Sequence, residues 1–380
     1  MIKKERNSNF ELMRIFSMLF IILWHIYMYG GIRKNPRIIN NGVSLFFEFI
    51  IFVLIVHANS FVIVSGYFQH NKKFELKKLF SLIDISLFYR IIIVCALLFL
   101  NIISISKVEL IKYFSPLVPT YNIEYWFIRV FTFLYIFSPF LNILINKMTK
   151  KQHFHLLLVS FLIFSIFPFI SGNMFYDNYG YTLCNFIFLY FIGSFISKYK
   201  VKDIILEKIS VNLYRLILII VFILLAIFNY CIYKTSSQVL GMGNVISEFS
   251  RSINSMHIAY SNPFVIVQTI VYMLFFETFS FKSKIINKIS SLTLGIYLIH
   301  NNTYLTQFIY KWLKIDNGNV YSYKFIIYCL AMVFVIFISA GIIELIRQLF
   351  VKFIQNRKII KKIKEMFYSF LNSFYIKDNN

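Results

Sequence analysis

What the chain has least of is charge. Only 14% of its 380 residues are charged, against roughly a quarter in an ordinary soluble domain. That shortfall excludes any soluble domain beyond loop size, although length alone would suggest two or three domains. Cysteine is equally sparse. Cys95, Cys184, Cys231 and Cys329 show no CxxC or metal-like spacing, which excludes a secreted disulfide scaffold and leaves them as packing residues in apolar segments. With 12 Gly and 6 Pro, the chain has no linker rich in Pro, Gly or Ser. It has no detectable internal repeat. A cleaved leader is not expected: Lys3, Lys4 and Arg6 precede an apolar run, but Glu11 and Arg14 interrupt it and no small-residue cleavage site follows. The run reads as a retained first helix.

Apolar and aromatic residues are abundant. The chain is 59% hydrophobic, with 46 Phe and 26 Tyr. Stretches of about 20 apolar residues, enough to cross a bilayer as a helix, recur from end to end. They predict an all-α, polytopic membrane bundle of about ten transmembrane helices, near 10–30, 43–68, 84–105, 126–146, 153–171, 181–197, 211–233, 260–280, 290–310 and 323–346. The net charge of +23 is mostly an orientation signal. With the N-terminus in the cytoplasm, 25 of the 39 Lys+Arg fall in cytoplasmic segments and ten in outer loops and their edges. That asymmetry places both termini in the cytoplasm, and no nucleic-acid partner is implied.

Residues 1–348 form the expected transmembrane domain, and 349–380 a basic tail. In the tail Ile359, Ile360, Ile363, Met366, Phe367 and Phe370 recur at helical spacing among Lys358, Lys361 and Lys362. The pattern suits an amphipathic helix on the anionic inner leaflet. Only the outer segments 106–125 and 234–259 are long enough to cover a substrate.

Ionisable residues inside a span are costly and mark functional candidates. The first span holds three: Glu11, Arg14 and His25. Eleven residues separate Arg14 from His25, so both project from one helix face about 16 Å apart along the axis. Glu11 lies one turn before Arg14, within ion-pair reach. A cation near the cytoplasmic surface and an imidazole deep in the bilayer suit a long phosphate-bearing cofactor. The bland alternatives stay open: Arg14 snorkelling to headgroups, His25 satisfied by a backbone carbonyl, and Glu11 merely neutralising Arg14.

The segment Asn9-Phe10-Glu11-Leu12-Met13-Arg14 with His25 resembles the opening of the acyltransferase-3 family of integral-membrane acyltransferases, with its Arg-x10-His signature. Further similarities follow in order. Ser60 to Tyr67, ending Val64-Ser65-Gly66-Tyr67, resembles the family's Ser-Gly-Tyr/Phe segment. Tyr125-Trp126-Phe127-Ile128-Arg129 resembles its Trp-Phe segment, with Ser138-Pro139 downstream, and Gly295-Ile296-Tyr297-Leu298-Ile299-His300 its late Tyr-x-x-His segment. The resemblance spans about residues 8–345. Val-Ser-Gly-Tyr stands where Leu-Ser-Gly-Phe is common, and no appended soluble hydrolase-like domain is seen.

The resemblance implies an acyl-CoA-dependent O-acyltransferase, with acetyl-CoA the expected donor and a cell-surface or lipid-linked glycan the expected acceptor. It implies His25 and Glu11 as catalytic residues, with His25 the base, and Arg14 as the group that binds the acyl-CoA phosphates. The acyl group passes directly or through an acyl-histidine. No metal is expected. Ser65, Trp126, Tyr297 and His300 are pore or acceptor candidates. Each has a bland counterpart: close helix packing for Ser65-Gly66, an outer aromatic belt for Tyr125 and Trp126, and a hydrogen-bonded packing role for His300. His57 is a further pore candidate. Arg90, Arg129, Glu48 and Glu277 are expected to pair inside the bundle, and His153 and His155 to be solvated. The Ile/Lys/Asn/Phe-heavy composition fits an AT-rich bacterial genome, which makes a capsular or exopolysaccharide sugar hydroxyl the expected acceptor and the plasma membrane the expected location. Two other functions compete, a flippase for polysaccharide or lipid-linked sugar and a glycan polymerase. The first wants repeats or paired broken helices and the second large charged outer loops; neither is found in the sequence.

Overall fold

The computed structural model describes residues 7–30, 32–34, 42–106, 125–172, 178–239, 250, 253–312 and 323–355. Every regular element among them is helical. The first helix, α1 (Asn9–Tyr29), is one of the central ones. It is followed by α2 (Gly42–Leu54) and α3 (His57–Gln69), which together cover the second expected span, and by α4 (Leu76–Phe99). Next come α5 (Trp126–Lys147), α6 (Lys150–Phe161) and α7 (Phe167–Ser171), the last two joined by a π-helical turn at Leu162–Ile166. The second half holds α8 (Leu183–Lys198), α9 (Val201–Leu206), α10 (Val211–Val239), α11 (Pro263–Glu277), α12 (Lys284–Ser290), α13 (Thr293–His300), α14 (Thr303–Trp312) and α15 (Tyr323–Gln355).

Seven helical stretches among the described residues are long and apolar enough to cross a membrane. This is a multi-pass membrane protein. Three of the ten expected spans take a different form. The helices α8 and α11 have 16 and 15 residues, or about 24 and 22 Å at 1.5 Å per residue. A hydrocarbon core measures about 30 Å. Each starts at a side-chain cap. Thr182 accepts the Asn185 N–H at the start of α8, and Asn262 accepts the Phe264 N–H ahead of Pro263 in α11. The segment 290–310 breaks into α13 and α14 at Asn301-Asn302. There Asn302 Oδ1 accepts the N–H groups of Tyr304 and Leu305 and so starts the new helix. The outer segments are described only at their ends, and residues 356–380, with most of the expected amphipathic tail, lie outside the described residues.

Central and peripheral helices separate by burial. The span Val43–Gln69 is the most buried and α1 is also largely buried, whereas α10 and α15 turn mostly outward. The outer face of α10 shows Leu216, Ile220, Leu224 and Phe228, as expected of a wall toward lipid. In lipid, helices gain little from apolar burial and associate through close packing and polar links. The tightest contact is between α3 and α8. A Cβ on Gly66 would run into the carbonyl oxygen of Tyr190, and one on Gly193 into that of Ile63. Ser65-Gly66 therefore lies at the close helix contact that small residues suggest. Of the cysteines, only Cys329 is packed inside; Cys95, Cys184 and Cys231 are exposed on outer surfaces, because their helices present these positions away from neighbours.

Candidate functional site

The inward stripe of α1 is read off its spacing. Glu11, Arg14, Met18, Ile21 and His25 follow at steps of three and four and share one face. All five line a single cavity of about 1070 Å³, large for a small-molecule site. Its other walls come from α3 (His57, Phe61, Ser65), the start of α5 (Trp126, Phe127), Tyr260 before α11, and α13 (Thr293, Leu294, Tyr297).

The two ends of the cavity differ. At the Arg14 end, Arg14 Nη1 donates to Glu11 Oε1 at 2.8 Å, and Ser290 Oγ donates to Glu11 Oε2 at 2.6 Å. Glu11 is thus buried and engaged on both oxygens. The C-terminus of α3 reaches this end, since Phe10 packs on Tyr67 and Phe68 with ring centroids 5.0 and 5.2 Å apart. Lys72 and Lys78, near that terminus, join the lining together with Asn287, Ser290 and Ser291. This end is cationic and rich in hydrogen-bonding groups.

At the far end, His25 Nδ1 lies 3.1 Å from His300 Nε2. His300 Nδ1 lies in turn 2.6 Å from the carbonyl oxygen of Ile296. His25 lines the cavity; His300 is fully buried behind it and is not among the lining residues. His300 is hydrogen-bonded on both ring nitrogens and lies behind the cavity wall rather than in its lining. The His57 ring sits edge-on between Trp24 and Tyr260, and neither of its nitrogens has a hydrogen-bond partner among the described residues. Trp126 stacks on Tyr260 at 5.4 Å and meets Tyr181 at 4.4 Å. Trp126 and Tyr260 line the cavity, so this cluster gives it an aromatic wall.

A family model described as an acyltransferase domain, acyltransferase-3, matches residues 7–344. The chain belongs to the acyltransferase-3 family. No curated protein and no solved structure matches it. It is a membrane acyltransferase, and the four sequence segments that resembled the family fall as follows in its fold. The first supplies the lining face of α1. Ser65 lines the cavity, and Gly66 makes the α3–α8 contact. Trp126 and Tyr297 line the cavity, and His300 stands behind it.

Several residues of the acyltransferase sit elsewhere than expected. Tyr125 is buried rather than at an outer interface. It takes a left-handed backbone conformation at φ 54°, its hydroxyl donates to the Leu298 carbonyl at 2.5 Å, and Arg90 lies over its ring. Those contacts hold the turn that presents Trp126. His153 is fully buried, with its Nε2 3.1 Å from the Phe191 carbonyl, because the helix turns it away from its exposed neighbours Lys150, Lys151 and His155. Glu48 pairs with Lys234, and Glu277 accepts the Tyr67 hydroxyl. Ser290 and Tyr260 carried no sequence signal for the site. Nothing local marks either one, and only the fold brings Ser290 to Glu11 and Tyr260 to Trp126.

Proposed function

We propose that this acyltransferase moves an acyl group, most simply acetyl, from cytoplasmic acyl-CoA to a hydroxyl of a cell-surface polysaccharide sugar. The observation that carries the reading is that one cavity joins Arg14 to His25 along a single face of α1. A donor with a phosphate-bearing head and a long thioester arm matches that layout. The guanidinium of Arg14, with Lys72 and the Glu75-paired Lys78 in the same cavity lining, binds the phosphates. The pantetheine arm runs past Met18 and Ile21, which are apolar and make no demand for hydrogen bonds. The thioester then lies beside His25.

The acceptor hydroxyl gives its proton to His25 as its oxygen attacks the thioester carbonyl. The C–O bond forms, the C–S bond breaks, and the CoA thiolate leaves with the proton returned by the imidazolium. The hydroxyl of Tyr297 is the donor assigned to the developing oxyanion. The indole of Trp126 offers a flat apolar face for a pyranose ring. Glu11, about 21 Å along the axis from His25, serves the reaction by holding Arg14 rather than by proton transfer. Both termini in the cytoplasm, as the basic-residue asymmetry indicates, put the Arg14 end on the acyl-CoA side.

The experiment is mass spectrometry of the envelope polysaccharide from bacterial cells with and without this protein. An O-acyl mass increment that appears only with the protein supports the transfer. Unchanged glycan mass with altered export of the polysaccharide would favour a transporter instead.

A further inference from the structure

We propose that His300 is a positioning residue for the transfer, fixing His25 in the tautomer whose Nε2 is the basic nitrogen. The inference rests on the reading of His25 as the base. It starts from an oxygen that can only accept. The Ile296 carbonyl stands 2.6 Å from His300 Nδ1, so that nitrogen carries the proton. A neutral imidazole has one N–H, which makes His300 Nε2 an acceptor. His25 Nδ1, 3.1 Å away, is then the donor. The lone pair of His25 is left on Nε2. A charged His300 would reverse this order and leave His25 without a basic nitrogen, but a fully buried imidazolium is costly.

The surroundings hold His300 still. It ends α13, and the chain breaks directly after it at Asn301-Asn302. Thr306 Oγ1 donates to the His300 carbonyl at 3.2 Å. Tyr125 ties the same turn from α5, donating to Leu298 and accepting from Asn302 Nδ2. Being fully buried and outside the cavity lining, His300 does not touch substrate. Its part is to orient His25 and to accept a charge-assisted bond once His25 has taken the hydroxyl proton. The proton passes from hydroxyl to His25 Nε2 and on to the departing thiolate. His300 keeps its own proton throughout.

The test is nitrogen-15 NMR of histidine-labelled full-length protein in lipid nanodiscs, with His25→Asn used to assign the His25 signals. The expected result is a protonated Nδ1 and a bare Nε2 on His25, and a mixture of the two tautomers in His300→Leu. A wild-type His25 protonated at Nε2 would overturn the proposal. In parallel, the rate of O-acyl appearance on surface polysaccharide is followed after induction at matched protein levels. His300→Leu is expected to slow it about 10- to 150-fold, the range for losing a hydrogen bond to a charged group. His300→Gln, whose side-chain oxygen can accept from Nδ1–H, is expected to recover most of the rate. Equal loss in both variants with an unchanged His25 tautomer would make His300 a packing residue only and overturn the proposal. Loss of transfer in His25→Asn but not in His300→Leu would overturn it while leaving the proposed function standing. A wild-type protein that transfers nothing would instead sink the proposed function, and the NMR result would be unaffected.

Discussion

Glu11 and Ser290 lie 279 positions apart in the chain and are joined by a 2.6 Å hydrogen bond at the Arg14 end of the cavity. With its other oxygen on Arg14, the Glu11 carboxylate links the first helix to the start of the Tyr297–His300 segment. Glu11→Gln keeps a hydrogen-bonding group toward both partners but removes the charge that orients the guanidinium. Its expected effect is a raised KM for acyl-CoA with kcat nearly unchanged, measured as acetyl-CoA turnover by purified protein. A fall in kcat alone would place Glu11 in the chemistry instead.

Arg14 itself gives a graded expectation. A lost charge-assisted phosphate contact is worth about 1.5–3 kcal/mol, or roughly 10- to 150-fold. Arg14→Ala should weaken apparent acyl-CoA affinity by that factor. Arg14→Lys keeps the charge without the bidentate fork and should fall between. Titration of purified variants with acetyl-CoA checks both. Unchanged affinity in well-inserted Arg14→Ala protein would make Arg14 an anchor to headgroups.

The α3–α8 contact predicts a stability effect away from the chemistry. Gly66→Ala and Gly193→Ala each place a methyl against a backbone carbonyl that cannot move without separating the helices. Overpacking of this kind costs about 1–3 kcal/mol. The readout is thermal unfolding in detergent, where both variants should melt below wild type. Melting at the wild-type temperature would mean that the two helices do not approach so closely.

Orientation is tested by labelling. In a protein whose native cysteines are replaced by alanine, cysteines placed at Arg33 and Asn178 should react with an impermeant reagent added outside cells. Those placed at Lys73 and Lys200 should not. The opposite pattern would reverse the topology and with it the route proposed for acyl-CoA.

How much of this was legible in the sequence depended on how local each signal was. The lining stripe of α1 was legible because Glu11, Arg14 and His25 are costly in a membrane and lie on one helical face; no tertiary information is needed to align them. The break at Asn301-Asn302 and the cap at Asn262 were visible as residues. Their effect was missed because a hydropathy window averages over single polar positions. His153 was misread for the opposite reason. Its neighbours Lys150, Lys151 and His155 are exposed, but the helical period turns His153 inward to Phe191. The partnership of His25 and His300 spans 275 positions. Neither residue announces the other, so only the packing of α1 against α13 and α14 reveals it.

The most direct test of the account is the rate of O-acyl incorporation into surface polysaccharide by His25→Asn protein at matched membrane abundance. Asn keeps a polar side chain of similar size but cannot take the hydroxyl proton. Removing a general base costs about 10²–10⁴-fold in rate, and acetyl-CoA binding to the purified variant should stay near wild type. Wild-type incorporation by the Asn variant would contradict the assignment of His25 as the base.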